Sequence, residues 1–309
     1  MIDPADNLVL PFQLESSHLR GRAVRLGAAL DLILHQHAYP APIGHLLGEA
    51  VVLAVALAAA LKYDGVFTLQ AKGDGVVRLL VADVTSDGGV RAYAQFDKDL
   101  YESINYADIP AGIRLLGKGH MAFTCSLAGQ EERYQGIVAL EGATLAEAVQ
   151  HYFRQSEQVP TGIMAAVDCD AHGRWRGGGL LVQRMPREGG VNVESATPEA
   201  EDWTRAMMLM GTCTPGELTA VDVTADALLY RLFHEEGVRV YDAQALRHQC
   251  RCSDTRVRGM LRSLPRAEIE ALAVEGLVTV TCEFCNKTYG FDRPARDELY
   301  KDAAGLTGR

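Results

Sequence analysis

Residues 248–254 read HQCRCSD and residues 280–289 read VTCEFCNKTY. Four of the chain's seven cysteines stand in these two stretches, as C-x-C (Cys250, Cys252) and C-x-x-C (Cys282, Cys285). How they are read decides how the end of the chain folds. Zn²⁺ takes four soft ligands in a tetrahedron, with Zn–S near ~2.3 Å. A C-x-x-C turn between two strands delivers two thiolates to one point, and a second pair carried on neighbouring elements completes the shell. A tail of about 60 residues buries too little apolar surface to be comfortably stable alone. A structural zinc adds roughly 10–16 kcal/mol of apparent binding free energy, all of it coupled to folding. Three alternatives stay open: His248 in place of one cysteine, an iron–sulfur centre, or a lone redox-active C-E-F-C beside an incidental C-R-C.

The same spacing permits a second chemistry. The sulfurs of each pair are close in sequence, so each pair can close as a disulfide, and thiolates are the form that oxidants attack. Each bridge removes two ligands, so oxidation should eject the metal and unfold the tail.

Working outward, Ser253 has the chemistry of an N-cap for a helix carrying Val257, Met260, Leu261 and Leu264 on one face, broken at Pro265. RAEIEALAVEG (266–276) reads as a second helix with Gly276 as C-cap. LVTVT and NKTYGF read as strands on either side of the CEFC turn. Upstream, PREGGVNVESATP (186–198) has a linker's composition. EAEDWTRAMMLMG and ADALLYRLFHEEG read as helices joined by TPGE and AVDVT. They bear Trp203, Met207, Met208, Met210, Leu228, Leu229, Leu232 and Phe233. These helices suit either a small subdomain packed on the main body or a segment stable only under some conditions.

The rest mixes helix and strand. RLGAALDLILHQHAYP and GHLLGEAVVLAVALAAALK read as helices. The run from Phe67 to Phe96 reads as three strands with turns at KGDG and SDGG, where Asp-Gly calls for a positive φ. Further strands follow in GHMAFTCSL, RYQGIVAL and GGGLLVQRMP. Thr144 and Glu147 have capping-box spacing ahead of a helix with Leu145, Val149, Tyr152 and Phe153 on one face. The expected fold class is α+β: a mixed sheet-and-helix domain over 1–190, a helical linker over 191–237 and a small zinc-binding α+β domain over 238–309.

The 309 residues carry a net charge of −10. Residues 250–309 hold ten basic and nine acidic groups, leaving twenty of the 30 basic and thirty-one of the 40 acidic groups to residues 1–249. Neither part has the basic field that phosphates demand, so no nucleic-acid partner is expected. MIDPADN is acidic with no apolar stretch directly after it, so no secretory leader is expected. The apolar run Ala50–Leu61 is short of the ~20 residues a bilayer takes and reads as a buried helix. The expected setting is a reducing cytoplasm without a membrane partner. His35 and His37 would face apart on a helix and make a poor chelate. GKGHM and KGDG lack the phosphate-loop register, and neither G-x-S-x-G nor H-E-x-x-H occurs. Cys125, Cys169 and Cys213 read as small buried hydrophobes.

The tail, with F-C-N-K-x-Y-x-F around its last cysteine, resembles the redox-switch domain of the heat shock protein 33 family, the redox-regulated 33 kDa chaperonins of bacteria. HAYP, LLGEA, LKYDG, LQAKGDG, ERYQGIVALEG, YFRQSEQVPT, GGGLLVQRMP and LLYRLFHEEGVRVYD resemble that family's other signatures, so the likeness covers nearly the whole chain. The resemblance implies a non-enzymatic, ATP-independent holdase that holds one Zn²⁺ on Cys250, Cys252, Cys282 and Cys285 when reduced. It implies Cys250–Cys252 and Cys282–Cys285 bridges on oxidation, loss of zinc, unfolding of tail and linker, a homodimer, and capture of unfolding clients. Trp203, Met207, Met208, Leu228, Leu229, Leu232 and Phe233 would offer an adaptable apolar client surface, as would any face of the main domain that the linker covers. The rivals are a thiol–disulfide oxidoreductase built on C-E-F-C and a zinc-ribbon binding module.

Overall fold

The computed structural model describes residues 6–104, 112–127, 129, 133–185 and 198–300, in two compact units, Met1–Gln249 and Cys250–Arg309. The first unit is built on two sheets. In one, β1 (Asn7–Leu14), β2 (Leu19–Leu26), β8 (Thr161–Cys169), β9 (Trp175–Arg184) and β10 (Val238–Val240) run antiparallel in the order β10-β1-β2-β9-β8. The short β11 (Gln244–Ala245) also pairs with β1. In the other, β3 (Gly65–Gly73), β4 (Val77–Thr85), β5 (Gly89–Phe96), β6 (Gly119–Leu127), β7 (Arg133–Ala139) and β12 (Arg247–His248) follow the order β12-β5-β4-β3-β6-β7. Helices α1 (Ala28–His35), α2 (Ala41–Ala60), α3 (Lys98–Ser103) and α4 (Leu145–Tyr152) complete this layer structure.

Helix α2 lies against strands of both sheets. Every residue from Ala50 to Ala58 is buried, which explains an apolar run with no polar face. At 20 residues it extends well beyond the apolar run and is long and apolar enough to cross a bilayer, but 78% of its most apolar window is buried inside the protein. It is a core helix.

The first sheet is buried on both faces, and the period-2 alternation of its strands shows how. Val9, Val24 and Leu181 join the core around α2. Leu10, Phe12, Ala23, Leu180 and Val182 join a second core. That core is closed by α5 (Pro198–Gly211), α6 (Pro215–Thr219) and α7 (Ala225–Phe233), with the Phe12 and Phe233 rings stacked at 5.9 Å. The triple glycine of β9 follows from this double cover. A Cβ on Gly178 would lie 1.9 Å from the Leu218 carbonyl oxygen of α6, and one on Gly179 would lie 2.6 Å from Val52 of α2.

Several expectations change. β1 is apolar and directly follows the acidic start, and β8 is a further strand without an assignment from sequence. Pro11 disguises β1: it has no N–H to donate, and the partner strand breaks opposite it, β10 ending at Phe12 and β11 beginning at Val9. TPGE is not a joint but the start of α6, with Thr214 and Glu217 forming a full capping box. At Thr144 only half the box forms. Its side chain accepts from the Glu147 N–H, while the Glu147 carboxylate reaches past it to the Ala143 N–H. Gly88 has the expected positive φ of 85°, but Gly75 does not. A Cβ there would meet the Leu115 carbonyl oxygen at 2.5 Å, so close approach, not turn conformation, requires glycine. The expected linker stretch 186–198 lies outside the described residues but for Pro198, which begins α5. The boundary expected at 238 moves to 250, because β10, β11 and β12 are hydrogen-bonded into the sheets of the first unit.

The second unit is small. It comprises α8 (Asp254–Arg262), α9 (Arg266–Ala271), the hairpin β13 (Val278–Thr281)–β14 (Thr288–Phe291) and α10 (Arg293–Leu299). Among the described residues its core has six buried apolar side chains: Leu261, Ile269, Val278, Tyr289, Phe291 and Leu299. On α8 the apolar face is only partly covered, with Leu261 buried and Met260 exposed, and Leu264, expected on the same face, lies beyond the helix end at Arg262 and is exposed. Gly276 does not cap α9, which ends at Ala271. It forms a two-residue turn with Glu275, both at positive φ, and Val274 and Leu277 exchange backbone hydrogen bonds across it.

Candidate metal centre

Two chain segments bring the sulfurs together. Cys250 and Cys252 lie in the extended stretch before α8, and the Ser253 Oγ ends that stretch by accepting from the Arg256 N–H at 3.2 Å. Cys282 and Cys285 lie on the turn between β13 and β14. There the Asn286 N–H donates to the Cys282 carbonyl, and the Cys282 N–H donates to the Lys287 carbonyl, both at 2.9 Å. The turn needs a left-handed residue to close, and Asn286 supplies it at φ 55°.

All four Sγ atoms lie within 4.8 Å of one another. Cys250 and Cys282 are 3.7 Å apart, and Cys252 and Cys285 are 3.4 Å apart. A tetrahedron with Zn–S near 2.3 Å has S···S edges of about 3.8 Å, so the spacing fits one soft mononuclear ion. A cluster with its own irons and sulfides would hold the cysteines further apart. No histidine joins the group: the His248 Nε2 faces the Gln36 amide at 3.3 Å, in the first unit. Among the described residues this is the one such convergence of potential ligands.

The thiols do not share protons evenly. Burial pushes the Cys250 and Cys285 thiols up. At Cys252 burial also acts upward, but hydrogen bonds from the Tyr289 hydroxyl at 3.1 Å and from the other thiols prevail and bring it down to about 7. The bond to Cys252 in turn raises the Tyr289 phenol. Of the four, the Cys252 sulfur is the readiest to ionise, and a cation held among them would favour the thiolate form of the others. The pattern before the structure passes over Tyr289, although strand alternation places it on the same buried face as Phe291.

The other sequence-selected residues lie in the first unit. Leu228, Leu229, Leu232 and Phe233 are buried against the sheet, Trp203 and Met207 are half-buried, and Met208 is exposed. Cys125 and Cys213 are buried and Cys169 half-buried. Two arginines that the sequence does not single out hold α6 in place. Arg25, itself buried, donates to the carbonyls of Glu217, Leu218 and Ala220. Arg176 donates to the Thr219 carbonyl at 2.9 Å and pairs with Asp6. Farther along, Arg205 of α5 pairs with the buried Glu236, which also accepts from Ser16.

Fold and site together define a two-unit α+β protein that ends in a tetrathiol module. The family model described as Hsp33 protein matches residues 7–292. A 33 kDa chaperonin of Caulobacter vibrioides is 39% identical over 294 residues, covering 94% of this chain and 96% of the relative. One of Pseudomonas aeruginosa is 39% identical over 298 residues, covering 94% of each. The crystal structure of the 33 kDa chaperonin of Thermotoga maritima shares the fold, with a TM-score of 0.82 at 23% identity over 97% of this chain and 99% of the other. The chain belongs to the Hsp33 family of chaperones.

Proposed function

We propose that the protein is a redox-gated, ATP-independent holdase of the cytoplasm. Reduced, it holds one Zn²⁺ on Cys250, Cys252, Cys282 and Cys285. Oxidation joins Cys250 to Cys252 and Cys282 to Cys285, the zinc leaves, and the module that depends on it unfolds. Helices α5 to α7 then loosen. Trp203, Met207, Met208, Leu228, Leu229, Leu232 and Phe233, with the sheet face beneath them, become available to unfolding clients, and the activated chains pair as homodimers.

The observation that carries this reading is the meeting of four sulfurs in a unit whose described residues include only six buried apolar side chains. Forming either bridge draws two sulfurs to about 2.05 Å and withdraws two ligands at once. The test treats reduced, zinc-loaded protein with peroxide at raised temperature, follows zinc with a chromogenic chelator, and assays aggregation of a heat-unfolded client in parallel. Protection should appear only after zinc is lost. Full protection by the zinc-loaded form would overturn the reading. So would catalytic turnover of a small disulfide, which is what the oxidoreductase alternative requires. Against that alternative, C-E-F-C joins two antiparallel strands and not the strand-to-helix turn of a thioredoxin-like site.

A further inference from the structure

A cavity of about 370 Å³ opens in the first unit, between its two sheets at the C-terminal end of α2. It shares no residue with the cysteine site. Its floor is apolar and aromatic, formed by Leu57, Phe67, Phe123 and Phe153. Leu61 and Tyr134, both substantially exposed, stand at its mouth. Pockets of this size, mostly apolar with few polar groups, are the usual form of small-molecule sites.

The polar groups on the wall are unequal. The Glu157 carboxylate is answered, since the Tyr134 and Tyr152 hydroxyls both donate to its Oε1. Arg20 is not. Among the described residues its one hydrogen bond runs to the Gln183 Oε1 at 3.4 Å, its buried Nε has no acceptor, and no carboxylate lies within ion-pair distance. The neighbouring Arg22 adds a second positive charge and is itself held by the carbonyls of Ala59 and Gly21. Burial, with the repulsion of Arg20, lowers the pKa of the Arg22 guanidinium. A half-buried cation with an unsatisfied donor beside an apolar floor calls for an acceptor carrying negative charge.

We propose that this cavity binds a small amphipathic carboxylate, a medium-chain aliphatic or single-ring aromatic acid, with its carboxylate on Arg20 and its apolar body on the phenylalanine floor. Binding is independent of the redox reading, because the cavity is built wholly from the first unit.

Titration calorimetry of the full, reduced, zinc-loaded chain tests it with three probes that share a tail: decanoate, 1-decanol and decyltrimethylammonium. Decanoate should bind one per chain and at least tenfold more tightly than the other two. Arg20→Gln should weaken decanoate at least tenfold and leave decanol unchanged. Ala60→Phe, which fills the cavity from the end of α2, should abolish binding of both. Failure of decanoate to bind, equal binding of decanoate and decanol, stronger binding of the cation, or decanoate affinity unchanged in Arg20→Gln would each overturn the proposal. Arg20→Gln keeps the test decisive even if Ala60→Phe does not fold.

Discussion

Tyr289→Phe removes one oxygen, and with it the hydrogen bond to the Cys252 sulfur. Partners that orient and charge-balance a ligand typically contribute 10–100-fold to metal affinity. We expect zinc bound about tenfold more weakly in competition with a chromogenic chelator, with the far-UV circular dichroism unchanged. Glu49 carries a different charge effect. It sits in the apolar helix α2, where burial pushes its carboxyl up to about 7 despite the N–H groups of Ala146 and Leu145 that favour its charged form. The unfolded chain gives up this proton near 4.5 and the folded chain keeps it to about 7. The folded state therefore binds more protons across that window, and stability falls as pH rises through it. The loss at pH 8 relative to pH 4 should be roughly 2–3 kcal/mol. Glu49→Gln should flatten that fall in urea unfolding followed by tryptophan fluorescence, since Trp175 and Trp203 both lie in the first unit.

Among the elements, α6 shows what local pattern can and cannot reveal. Its five residues are held by arginines on β2 and β9, far away in sequence. Arg25→Met would leave buried carbonyls without a donor, a loss of about 2–3 kcal/mol. We expect faster amide exchange across residues 215–233 and zinc-independent loosening of α5 to α7. Helix starts at Thr144 and Ser253 were legible because a cap is a matter of three or four neighbouring residues. The capping box at Thr214 was equally local but hidden by Pro215 and Gly216, which read as a turn. β1 was hidden by Pro11, whose effect shows only in the partner strand. Gly75 and Gly178 are glycine because of carbonyls 40 residues along the chain, which no window of sequence displays. The four candidate ligands were legible as a group because thiol pairs at this spacing have few other uses, and the structure brings their sulfurs together; Tyr289 looked like an ordinary hairpin residue, and Arg296 lies in α10, a helix without an assignment from sequence.

At the scale of the molecule, the two units differ in what holds them. The first has two extensive cores, and the described residues of the second include six buried apolar side chains and one buried cation. That cation is Arg296, which donates to the carbonyls of Gly276 and Phe291 and pairs with Glu270. With zinc on the four cysteines as proposed, stripping the reduced protein with a strong chelator should therefore abolish exchange protection across residues 254–299. The sheets of the first unit should keep theirs. Cys250→Ser should do the same without a chelator, and unchanged metal stoichiometry in that variant would count against the ligand assignment. From sequence the last unit was expected to begin at 238, because the strands that tie residues 238–249 to the first unit are only two or three residues long and leave no pattern to read.

β9 and β10, which bracket α5 to α7, belong to one sheet with only β2 and β1 between them. The segment that joins them is consequently a closed loop, its ends pinned about 14 Å apart by three inter-strand spacings. If the helices lift away, they gain less chain entropy than a free tail would, because loop closure grows only with the logarithm of length. They also stay at high effective concentration near the surface they left. Return to that surface is then a first-order event, with a rate indifferent to how much protein is present.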